Sequence, residues 1–99
     1  MVVLGGLLGR PLVYQGNAND VNTTLETGYY GVNKDGGVTS NAPYGYGTLI
    51  VLKCNTGSAG GGSPIIQLLV GNTAWDIYIR SQWAGEWNPW RKIAASTIS

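Results

Sequence analysis

Two short runs limit what this chain can fold into. Residues 49–52 read Leu-Ile-Val-Leu, and residues 65–70 read Ile-Ile-Gln-Leu-Leu-Val. Both are rich in β-branched and leucine side chains, and both are flanked by Gly, Asn, Ser or Pro, so they read as strands. A sheet with one face in water alternates apolar and polar residues, and these runs are apolar at nearly every position. The sheet is therefore covered on both faces, or one face is buried between subunits. With 99 residues there is one domain and little chain for a second layer. The second alternative is expected.

The rest of the chain supplies short strands with turn chemistry between them and no amphipathic helix of useful length. Residues 1–16 form an apolar, Gly-rich N-terminal segment that needs a surface to pack on, either the domain or other copies. It is interrupted by glycine and lacks a basic start, so it reads as an assembly or shaft-proximal element and not as a signal peptide. Residues 16–20 read as a turn cluster. Asp20 or Asn19 can cap a short helical turn over 21–25, with Gly28 as its left-handed end. Strands follow over 29–32, 48–55, 65–70 and 75–81, and residues 86–92 close the sheet. Asp35-Gly36 is a turn signal inside a loop, and residues 56–63 are linker-like. Ala84-Gly85 turns the last hairpin. The expected architecture is mostly β: a small antiparallel sheet domain over 17–93 with one short N-terminal helical turn and a tail over 94–99.

Charge and cysteine usage exclude several functions. Six Lys or Arg against five Asp or Glu gives +1, which is no footprint for nucleic acid. No apolar run is long enough for a membrane-spanning helix. The lone Cys54 excludes an internal disulfide, and without any His it lacks a catalytic partner, so a buried apolar role is expected. The absence of His and of an Asp-x-Asp-x-Asp loop removes the usual metal sites, and no cofactor is implied. Asp76 and Glu86 could approach across the last hairpin as a glycosidase pair requires, although surface charge is the expected reading. Four Trp and six Tyr with no Phe give aromatics that each carry a polar handle, suited to interfaces and sugar-binding surfaces.

An ordered series of motifs adds to this reading: Asp20-Val21-Asn22-Thr23 with Leu25, Gly28-Tyr29-Tyr30, Asn41-Ala42-Pro43, Gly47-Thr48-Leu49-Ile50-Val51, Ile66-Gln67-Leu68, Ile77-Tyr78-Ile79-Arg80, and Trp87-Asn88-Pro89-Trp90-Arg91-Lys92-Ile93. In order and spacing it resembles the knob domain of R-type pyocin and bacteriophage tail fibres. The resemblance covers residues 18–93. It departs at Val21 where Leu is usual, at Tyr29 where Phe is common and at Asn88 where Ser is common. It implies a homotrimeric, non-enzymatic virion fibre component, made in the bacterial cytoplasm, that works with other virion proteins and presents loops to cell-surface polysaccharide. Knob domains also serve as fibre spacers.

Candidate residues fall into two groups. Trp87 and Trp90 are expected to close the core and Arg91 to pair with a carboxylate, with a sugar platform of Trp87, Pro89, Trp90 and Arg91 as the competing reading. Asp20 is expected to pair with Arg80 or Arg91, because the guanidinium fork grips a carboxylate two-handed. Tyr44, Tyr46, Trp75 and Trp83 lie in or beside loops and are the candidates for ligand contact, with a subunit interface as the stronger competing explanation.

Overall fold

The two apolar runs become the central strands of a single sheet. The computed structural model describes residues 12–54, 64–72, 76–94 and 96–98. Its strands are β1 (Tyr14–Asn17), β2 (Gly28–Asn33), β3 (Tyr46–Lys53), β4 (Ile65–Gly71), β5 (Ile77–Trp83), β6 (Glu86–Trp87) and β7 (Arg91–Ile93). They run in the order β1-β2-β3-β4-β5, with β6 and β7 both paired to β5 at the far edge. Every pairing is antiparallel except β1 with β2. The fold is mostly β, as expected. Among the described residues one 3-10 turn, Val21–Thr23, interrupts it.

Register assigns each side chain to a face, because successive residues of a strand point to opposite sides. One face holds the rows Tyr30–Leu49–Leu69–Tyr78 and Gly28–Val51–Gln67–Arg80. Leu49, Val51 and Leu69 are fully buried there, beneath Ala18, Val21 and Ala42, with Leu25, Tyr44, Trp87 and Trp90 packed around them. Full burial of such a side chain is worth about 1.5–3 kcal/mol relative to leaving it in water. This is the closed face.

The other face carries the row Tyr14–Tyr29–Ile50–Leu68–Ile79–Arg91, which crosses every strand except β6. Beside it run Thr48–Val70–Ile77–Ile93 and Leu52–Ile66–Ser81. No described strand packs over these rows; only the 88–90 arch reaches them, beside Ile66, Ile79 and Ser81. Leu52 and Ile66 are each 40% exposed and Tyr14 55%. This is the open face.

Four details differ from the sequence expectation. The Gly16-Asn17 turn cluster belongs to strand β1, whose pairing with β2 is parallel because the chain crosses back through the 3-10 turn. Gly28 opens β2 and closes no helix; the turn already ends at Thr24. The closing strand over 86–92 is two pieces, with residues 88–90 arching off the sheet between β6 and β7. Cys54 is exposed and not buried, since β3 ends one residue earlier and only the Cys54 N–H is held, by the Pro64 carbonyl at 2.9 Å.

Candidate functional site

The 3-10 turn forms because Asp20 takes an extended conformation and its carboxylate accepts from the Asn22 N–H at 2.9 Å, as an N-cap does. Asn41 Nδ2 donates to the same oxygen at 2.9 Å. The Asn41 amide first, and the Asn22 N–H second, hold the Asp20 carboxyl below its ordinary pKa. The field of Arg80 adds a smaller lowering against a desolvation cost. The predicted ion pair of Asp20 with Arg80 or Arg91 is thus corrected: the carboxylate is occupied by local donors, and Arg80 turns elsewhere.

Arg80 lies on the closed face, 7% exposed. Its Nε donates to Gln67 Oε1 at 2.9 Å. Its guanidinium carbon sits 3.9 Å from the ring centroid of Trp87 and 4.4 Å from that of Trp90. Two indole faces supply part of the electrostatic compensation that a carboxylate would otherwise give. Burial pushes the Arg80 pKa down to about 10, with Asp20 opposing, so the group stays charged at neutral pH.

Gln67 is the residue the sequence reading missed. It is fully buried and donates from Nε2 to the carbonyls of Val21 at 2.7 Å and Thr24 at 2.9 Å. Trp87 Nε1 adds a bond to the Asn22 carbonyl at 3.1 Å. These amide and indole donors, and not a carboxylate–arginine pair, tie the first turn to the last strands. The signal was present as a lone polar residue in the apolar run 65–70.

The four residues proposed for ligand contact are not brought together. Tyr44 packs against the core: its ring stacks on Tyr78 with centroids 5.8 Å apart, and a Cβ on Gly71 would come within 3.0 Å of it. Tyr46, 41% exposed, and Trp83, 47% exposed, both belong to the open face, but at opposite ends of the strands. Trp75 lies outside the described residues. Trp83 ends β5 at a two-residue turn in which Ala84 (φ 55°) and Gly85 (φ 84°) are both left-handed, the geometry that matches the twist of a hairpin.

Asp76 and Glu86 are also separate. Asp76 precedes β5 and meets Lys92 at 3.1 Å, whereas Glu86 pairs with Trp83 at the other end of that strand, roughly 20 Å away at ~3.3 Å per residue. Among the described residues no group of three or more His, Cys, Asp or Glu gathers as a metal site would require, and no helix is long and apolar enough to cross a membrane.

A groove of about 430 Å³ opens on the β5–β7 edge of the open face, lined by Ile66, Ile79, Ser81, Asn88, Pro89 and Arg91 along with Arg80. Asn88 fixes its lip: the Asn88 N–H donates to the Ser81 carbonyl at 2.9 Å, and Nδ2 donates to Ser81 Oγ at 3.1 Å. Arg91 is exposed, and among the described residues it meets no carboxylate, while Lys53 meets Glu26 and Lys92 meets Asp76. No family model, no curated protein and no solved structure matches this chain.

Proposed function

We propose that this chain is a non-enzymatic fibre component of a phage or phage-tail-like particle, assembling with copies of itself and attaching to bacterial surface glycan. The observation that carries the reading is the open face. An unbroken row from Tyr14 through Tyr29 and Ile50 to Leu68 lies along one side of a single sheet, with Leu52 and Val70 beside it. An apolar surface of this kind marks an interaction site, and aromatic enrichment is typical of interface centres. A second copy of the same sheet is the occupant that the trimeric knob resemblance supplies, with bacterial polysaccharide and other virion proteins as further partners.

Attachment then needs no chemistry. Weak glycan contacts are multiplied by three copies per fibre and by several fibres per particle, so avidity supplies the hold. A fibre spacer or head-decoration protein would use the same open face and touch no receptor. A monomeric carbohydrate-binding module is the other reading, favoured by the groove at the β5–β7 edge. Cell-binding assays with the labelled chain across a panel of bacterial strains, run alongside solution mass, separate the three. A trimer that adsorbs fits attachment. A trimer that adsorbs to none fits a spacer. A monomer that binds glycan fits the module and removes the fibre reading.

A further inference from the structure

We infer that the groove between β4, β5 and the 88–90 arch is a subsite for one acidic sugar residue, with Arg91 as the carboxylate-binding group. The inference rests on the glycan-attachment reading and names the sugar class and the residues. Its volume of about 430 Å³ falls within the ~300–1,000 Å³ range of small-ligand clefts. Ile66, Ile79 and Pro89 give it apolar walls of the kind that cover the C–H face of a pyranose ring. Ser81 and Asn88 give it neutral polar groups. Because Ser81 Oγ accepts from Asn88 Nδ2, the Ser81 hydroxyl proton and Asn88 Oδ1 both remain for ring hydroxyls.

Arg91 decides the charge of the ligand. It is exposed at the groove, and no acidic side chain lines the groove with it. A planar guanidinium binds a carboxylate through two parallel hydrogen bonds, which a neutral hexose cannot reproduce. The arch that carries the groove's lip is held from the other side of the sheet, where Arg80 packs on Trp87 and Trp90. The lip is therefore preformed. The groove also sits at the edge of the open face, past the Ile50–Leu68 centre, where an interface between copies would have its wet rim.

The test is a titration of the full chain with sodium glucuronate, glucose and glucose 1-phosphate, followed by amide ¹H–¹⁵N correlation spectra and the Arg91 Nε–H signal. Saturable shifts at Ile66, Ile79, Ser81, Asn88 and Arg91 with glucuronate are expected, with glucose at least ~10-fold weaker. R91Q should weaken glucuronate ~10-fold or more while leaving solution mass and melting temperature unchanged, and R91K should recover only part of the loss. Absent shifts, shifts confined to other residues, or equal affinity in R91Q would overturn the proposal. So would glucose 1-phosphate binding as tightly as glucuronate, which would give the groove to anionic sugars without selection for carboxylate. Adsorption to cells that R91Q leaves intact removes the groove and keeps the attachment reading; groove binding without adsorption does the reverse.

Discussion

The two faces of this sheet are built from the same strands and differ in how they are completed. On the closed face the chain supplies its own cover: the 3-10 turn, the Ala42–Tyr44 loop and the Trp87–Trp90 arch bury Leu49, Val51 and Leu69. A buried polar hub then fixes the cover in register, with Gln67 joining Arg80 to the turn. On the open face an equally apolar ladder has no described strand over it. Specificity on the closed face comes from hydrogen bonds that only one arrangement satisfies. Apolar area on the open face is a demand for a partner.

The sharpest way to break the comparison is at the hub. Gln67→Leu keeps the volume but strands the Thr24 carbonyl and Arg80 Nε, and leaves the Val21 carbonyl only its longer bond from the Thr24 N–H, so roughly 3 kcal/mol or more of stability should be lost. Urea unfolding measures it, and a loss below ~1 kcal/mol would mean that the closed face is held by apolar packing alone. Asp20→Ala should cost about 1 kcal/mol, the scale of a lost N-cap and not of a severed buried ion pair. Ala84→Asn should give a gain of ~0.5–1 kcal/mol in thermal unfolding, because Asn tolerates the left-handed conformation that Ala84 adopts.

The smallest effect is one of pH. The folded pKa of Asp20 is lowered, so its contribution is complete above the unfolded carboxylate value and fades as pH falls through the folded one. Acid unfolding curves of the wild type and Asp20→Asn should therefore diverge above about pH 4 and converge below the folded pKa of Asp20. A constant offset across the whole range would show that Asp20 acts as a neutral acceptor.

Strands, turn and cap could be read from the residues because each rests on local chemistry. Leu49, Ile50, Val51 and Leu52 have strand propensity, Asp20 can reach Asn22, and Ala84-Gly85 marks a hairpin. What could not be read was settled by register. Only the pairing of Val51 with Gln67 and of Gln67 with Arg80 puts the guanidinium beside an amide and under two indoles, away from the Asp20 carboxylate. Tyr44 and Tyr46, two residues apart, would share a face within one strand, but Tyr44 precedes β3 and its ring turns onto Tyr78 on the closed face. The groove was legible only in part: Asn88, Pro89 and Arg91 belong to one motif, but only the strand pairing brings Ile66, Ile79 and Ser81 beside them.

The most direct test is solution mass by light scattering, on the wild type and on Leu52→Glu. Leu52 is 40% exposed on the open face, so a charge there should leave the single chain folded, as circular dichroism can verify. The account predicts a wild-type particle of three times the 10.5 kDa chain and a smaller one, with unchanged strand content, for Leu52→Glu. A wild type at the mass of one chain, or a trimer that the added charge leaves intact, would contradict it.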